Sequence, residues 1–147
     1  MPSERHTDKF LKLTVCEKLN VSYAYKTLKE NGRSNYFIMY VSNGCCTLIE
    51  NGQELKAEAG SLILYRPGER QEYFFEENSG SVIYYALFVG TACEEIICEA
   101  GLYKRITAVG TSKKPSLCFQ SWLMNSTPKS RFGGNTPRLY YLNFSLT

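Results

Sequence analysis

Four glycine turns crowded between Tyr36 and Tyr73 constrain this chain more than any other feature. The stretch consists of short apolar runs cut at Asn43-Gly44, Asn51-Gly52, Ala59-Gly60 and Pro67-Gly68. Asn-Gly is a hairpin signal because a type I′ turn needs positive φ at both central residues, which asparagine tolerates and glycine adopts freely. A turn about every eight residues leaves room for strands but not for crossover helices, so the spacing predicts a small all-β sandwich or barrel. Strands are expected over 35–43, 45–50, 53–58, 61–65 and 70–76. After a loop at 76–80, residues 81–89 (SVIYYALFV) are apolar on both faces, which predicts an internal strand. Upstream, 9–16 alternates loosely, with Leu11, Leu13 and Val15 on one side. Residues 21–29 form a clearer strand, with Val21, Tyr23, Tyr25 and Thr27 on one face.

Beyond residue 90 the period changes. Thr91 and Glu94 fit a capping box, in which the hydroxyl serves the N3 amide and the carboxylate reaches back. The helix is expected to run to Ala100 and stop at Gly101 in a left-handed cap. A second helix is expected over Pro115–Asn125, then a Ser/Thr/Pro/Gly loop over 126–135. Leu139, Leu142 and Leu146 recur at helical spacing near the end.

The chain has 147 residues, enough for one domain that folds without disulfide or metal. Its net charge of +3 is uneven: residues 1–100 carry ten Lys/Arg and fourteen Asp/Glu, and residues 101–147 carry seven Lys/Arg and no acid. A basic tail of this kind suits a solvated linker and helix surface better than a nucleic-acid interface. Six cysteines without a C-x-x-C pair, and no signal peptide at Met1, imply reduced thiols in a cytoplasm. No apolar run approaches the ~18 residues of a membrane span.

The order of these features resembles the N-terminal sensor domain of AraC-type bacterial transcription regulators, a cupin barrel. Gly32-Arg33 and Tyr36, Tyr40-Val41 and Gly44, Asn51-Gly52, Gly60 to Gly68, and Tyr84 to Phe88 followed by a helix carry the resemblance over about Tyr23 to Gly101. It implies a mainly β fold: a cupin-type antiparallel β-barrel, or jelly roll, with an N-terminal arm over 1–90, followed by a small α-helical tail over 91–147 that starts the dimerisation region. Self-association would use the C-terminal helices of the full-length protein. DNA would be reached only through a helix-turn-helix domain outside this chain, since Arg138 to Thr147 is too short for one such unit.

Chemistry narrows the function further. The metal motifs of cupins place histidines and a glutamate near Asn31, Arg33 and Phe37, and a further histidine at Gln71. None of these residues is a metal ligand of that kind, and the chain's one histidine is His6. No metal and no cofactor are expected. A metal-free cupin enzyme would need a base, for which Glu69 and Glu72 are the candidates, and a cysteine nucleophile would need an activating cation or histidine. Binding is the better reading: a sensor for a small molecule, expected to be a sugar or related polar metabolite, with a free-standing metal-free cupin enzyme as the alternative and a pure dimerisation module as a third. By the resemblance, the basic pocket position falls on Lys29, a pocket tyrosine on Tyr73 and a stacking ring on Tyr85, with Tyr36, Arg66 and Gln71 as further candidates. Rings stack on C–H faces while a cation and hydroxyls bond ligand oxygens.

Overall fold

A computed structural model describes residues 9–111. His6, the sixth cysteine, Cys118, the expected helix over 115–125 and the leucine-spaced segment after 136 lie outside the described residues. In chain order the elements are β1 (Lys12–Val21), β2 (Tyr25–Lys29), β3 (Tyr36–Asn43), β4 (Cys45–Glu50), β5 (Gln53–Glu58), β6 (Ser61–Tyr65), β7 (Gln71–Phe75), β8 (Ser81–Val89), α1 (Cys93–Glu99) and β9 (Ile106–Ala108). They form two antiparallel sheets, one ordered β1-β8-β3-β6-β9 and the other β2-β7-β4-β5. This is the small all-β architecture that the turn spacing predicts, in the jelly-roll form that the resemblance implies.

The five-stranded sheet is covered on both faces. One face meets the four-stranded sheet through Phe37, Met39, Val41, Ile63, Tyr65 and Ile83, packed against Cys46, Leu48, Tyr73 and Phe75. The other face meets α1 through Ile38, Tyr40, Leu62, Leu64, Tyr84 and Phe88, packed against Cys93, Ile96 and Ile97. β8, apolar on both sides, lies between β1 and β3 as expected of a strand with two dry faces. Filling a core this close-packed is worth ~3–5 kcal/mol at a phenylalanine such as Phe37, by the usual cost of truncating one to alanine.

Several local expectations meet a tertiary override. Asn51 and Gly52 both have positive φ, as a type I′ turn requires, but at Asn43-Gly44 only the glycine does. A Cβ on Gly44 would overlap Ser81, whose hydroxyl accepts the Cys45 amide proton and donates to the Cys45 carbonyl oxygen, both at 3.2 Å. Close approach, not the turn type alone, explains this glycine.

Leu11, Leu13 and Val15 do not share a face. The β1–β8 register slips between Leu13 and Val15, so Leu13 packs on the helix side while Val15 turns inward. Such a bulge inserts one residue and flips the alternation after it. The 21–29 strand breaks at residues 22–24, where the chain crosses from one sheet to the other, and Tyr23 is left exposed.

The capping box does not form either. The N-cap is Ala92, with no side-chain cap. The Thr91 hydroxyl accepts the Phe10 amide proton at 3.1 Å, and the Ala92 amide donates to the Phe10 carbonyl at 2.8 Å. The arm of the chain takes the cap. The helix does stop at Gly101, φ 79°. β9, three residues long and paired with β6, has no sequence signal strong enough to anticipate it.

Candidate functional site

The bulge in β1 builds one wall of a cavity. Past it, inward-facing residues of three adjacent strands line up in rows across the sheet: Val15–Leu87–Phe37, Glu17–Tyr85–Met39 and Leu19–Ile83–Val41. Tyr25 of β2 and Tyr73 of β7 face them from the other sheet, and Arg33 closes the set from the β2–β3 connection. The space enclosed is about 280 Å³, at the small end for a ligand pocket.

Its wall is largely a cluster of rings. Phe37 stacks on Tyr73 at 6.0 Å between centroids and tilts against Tyr85 at 5.8 Å and Tyr65 at 6.2 Å. The Tyr85 hydroxyl donates to Glu17 Oε1 at 2.9 Å. Burial first, then that hydrogen bond and the carboxylate's charge, push the Tyr85 pKa up to about 12. The phenol therefore stays protonated, a donor rather than a base.

Arg33 enters through a forced backbone. Gly32 has φ 70°, and a Cβ there would collide with the backbone of Gly68 and Glu69. The Gly68 amide donates to the Arg33 carbonyl at 2.9 Å. This contact sets Arg33 beside the start of β7, where its Nε donates to Gln71 Oε1 at 3.3 Å. The guanidinium also lies 5.3 Å from the Phe37 ring centroid, in cation–π range. Gln71 is fully buried, and its Nε2 has no hydrogen-bond partner among the described residues.

With the fold and this cavity in view, the sequence matches the AraC-like ligand binding domain family over residues 19–133. The chain belongs to that family. No curated protein matches it. Among solved structures, ToxT from Vibrio cholerae is similar with a TM-score of 0.55 at 9% identity, covering 92% of this chain and 55% of that one. ToxT from Vibrio cholerae O395 bound to (E)-4-(8-methylnaphthalen-1-yl)but-3-enoic acid gives 0.52 at 12% identity, covering 93% and 54%. EutQ from Clostridium difficile gives 0.37 at 20% identity over 49% of this chain and 54% of that one. The chain thus spans little more than half the length of these structures.

The residues expected to bind in this AraC-like domain are divided by the fold. Tyr73 and Tyr85 line the cavity, and Gln71 lies directly behind Arg33. Lys29 pairs with Gln71 across β2–β7 and so shares its inward face, but it sits exposed at the strand end and is no part of the cavity wall. Tyr36 and Arg66 are on the far side of the five-stranded sheet. Tyr36 stacks on Phe88 at 5.4 Å, and its hydroxyl donates to Glu94 Oε2 at 3.0 Å, as does Arg66 Nε at 2.8 Å. These two fasten the barrel to α1. Arg33 was legible only as an occupant of a cupin ligand position, and Arg105, described below, carried no signal.

The candidate bases are occupied. Burial alone would raise the Glu69 pKa, but the Arg66 amide and Arg105 outweigh it and hold this carboxyl below its ordinary value. Glu72 is held below its ordinary value by Arg70, against a small desolvation, with Lys26 adding to the effect. A carboxylate with a lowered pKa is a weaker base. Burial pushes the Cys46 and Cys93 thiols up, away from thiolate chemistry. Among the described residues no cluster of three His, Cys, Asp or Glu has the makings of a metal site, and no helix is long and apolar enough to cross a membrane.

Proposed function

We propose that this domain is the effector-sensing part of an AraC-type transcription regulator, a binder and not an enzyme, and that the effector enters the cavity between the sheets. The observation that carries the reading is the ring-lined space at the β1–β8–β3 rows, where Phe37, Tyr73 and Tyr85 meet a lone cation, Arg33. Among the described residues Glu69 and Glu72 are paired with cations and burial pushes the Cys46 and Cys93 thiols up, which favours binding over catalysis.

The expected sugar fits this lining less well than a molecule with a flat or apolar body. Val15, Leu19, Phe37, Met39, Ile83 and Leu87 offer no polar partner. The hydroxyl of Tyr85 is engaged with Glu17, and that of Tyr73 with Thr27. A polyol buried without partners costs several kcal/mol. The ToxT structure bound to an aryl butenoic acid belongs to a protein of the same fold and is compatible with an aromatic effector. In this reading Tyr73 and Tyr85 contact the body of the effector, Gln71 and Arg33 meet its polar end, and Lys29 stands at the rim. Tyr36 and Arg66 act only through the barrel–helix contact. DNA binding and self-association belong to the remainder of a cytoplasmic regulator.

A thermal-shift screen of the full chain against two sets, neutral sugars and small aromatic or aliphatic acids, tests the proposal. A ligand that binds the folded state at a hundredfold excess over Kd adds about 2.7 kcal/mol, a rise of several degrees. Such rises are expected with the second set. Rises confined to sugars would overturn the assignment of the effector class, and none with either would remove the cavity as the binding site.

A further inference from the structure

Four arginines lie among the described residues, and three of them meet carboxylates: Arg66 with Glu94, Arg70 with Glu30 and Glu72, and Arg105 with Glu50 and Glu69. Arg33, part-buried on the cavity wall, meets none of the described residues' carboxylates. Its Nε is spent on Gln71 Oε1, which fixes the orientation of that buried amide. The Gln71 Nε2 is thereby committed as a donor with no acceptor among the described residues. A guanidinium without a carboxylate partner and a buried amide donor without an acceptor among the described residues, joined in one hydrogen-bonded pair, are best complemented by an anion with two or more acceptor oxygens.

We propose that Arg33 and Gln71 form a carboxylate subsite, which receives the acidic head of the effector while its apolar body lies along Phe37, Tyr73 and Tyr85. The proposal rests on the reading that this cavity holds the effector. By the resemblance, the ion-ligand places of metal-binding cupins fall near Arg33 and Phe37 and at Gln71, and the fold brings these three residues together here. Glu17 is the opposing charge on the cavity wall. It is exposed and bonded to Tyr85, so water screens it from the Arg33 end.

Calorimetric titration of the full chain with 1-naphthylacetate and with neutral, near-isosteric 1-naphthylacetamide tests the subsite. The acid should bind the wild type about tenfold or more tightly than the amide, the gain of a charge-assisted bond. Arg33→Met should erase that preference, the acid losing about tenfold more affinity than the amide. Gln71→Glu should place a competing carboxyl beside Arg33 and abolish the acid preference. Equal affinities in the wild type would overturn the subsite and leave the cavity reading standing. A wild type that binds neither probe would remove both. Acid preference that survives Arg33→Met, or that is lost in Lys29→Met instead, would place the anion elsewhere.

Discussion

Arg33 and Arg105 lie over neighbouring rings of one aromatic cluster, and they differ in everything else. Arg105 stacks on Tyr65 at 4.2 Å and Arg33 on Phe37 at 5.3 Å, with the two rings 6.2 Å apart. Arg105 donates to Glu50, to Glu69 at 2.7 Å and to the Leu64 carbonyl at 2.6 Å. It closes β4, β6 and the β6–β7 turn around the end of the core. Among the described residues Arg33 has one side-chain hydrogen-bond partner, and it is neutral. The same cation on the same kind of ring serves as a clasp where acids saturate it and as a binding group where they do not. What separates structure from site in this fold is pairing, not residue type.

The sharpest way to break that comparison is to remove each cation in turn. Arg105→Met removes the cation that Glu50 and Glu69 share, leaving Glu69 only the Arg66 amide and its more distant charge. Removing one partner of a fully buried pair costs ~3–5 kcal/mol, and the water left to these acids brings the expectation to about 2 kcal/mol. Arg33→Met should cost about 1 kcal/mol, since one hydrogen bond to the buried Gln71 amide is lost but no ion pair. Urea denaturation of both variants reads the difference, and equal losses would erase the distinction.

Acid sharpens the same contrast. Glu69 has a folded pKa below its ordinary 4.5. Such a group contributes stability above that value and loses it as pH falls through the folded pKa. Wild-type stability should therefore drop between about pH 4.5 and the lower folded pKa more steeply than that of Arg105→Met. Parallel pH profiles would show that Arg105 does not hold the carboxylate down.

A smaller effect is expected at the ring wall. Tyr85→Ala should weaken a bound aromatic acid about tenfold, through loss of a ring contact worth ~1 kcal/mol beyond its area. Tyr36→Phe, on the far face, should leave affinity unchanged and lose only the bond to Glu94. Titration of both variants separates the two faces of the five-stranded sheet.

The strands were legible because their signals are local: glycine turns at 51–52, 59–60 and 67–68, alternation between them, and the doubly apolar run of 81–89. What escaped depended on a partner far along the chain. The bulge after Leu13 arises from pairing with β8, so Val15 and Glu17 could not be placed from their own neighbours. Thr91 and Glu94 spell a capping box, yet Phe10 takes the hydroxyl, and Tyr36 with Arg66 takes the carboxylate. Tyr73 and Tyr85 were within reach of a family alignment. Arg33 was legible only as a neighbour of a metal-motif position, since its setting depends on Gly32 meeting the 68–69 backbone and its availability on having no carboxylate partner among the described residues.

Thr91→Ala gives the smallest effect, about 0.5–1 kcal/mol for one hydrogen bond. Amide exchange should quicken at Phe10 and stay unchanged at Cys93 to Ile96. Faster exchange in the helix would restore the cap.

The most direct test of the central claim follows side-chain NH resonances of the full chain by NMR during titration with 1-naphthylacetate. The account predicts that the Arg33 Nε–H and Gln71 Nε2–H signals shift together with the rings of Tyr73 and Tyr85, while Tyr36 and the Arg66 Nε–H stay still. Shifts confined to Tyr36, Arg66 and α1, with Arg33 and Gln71 unmoved, would contradict it.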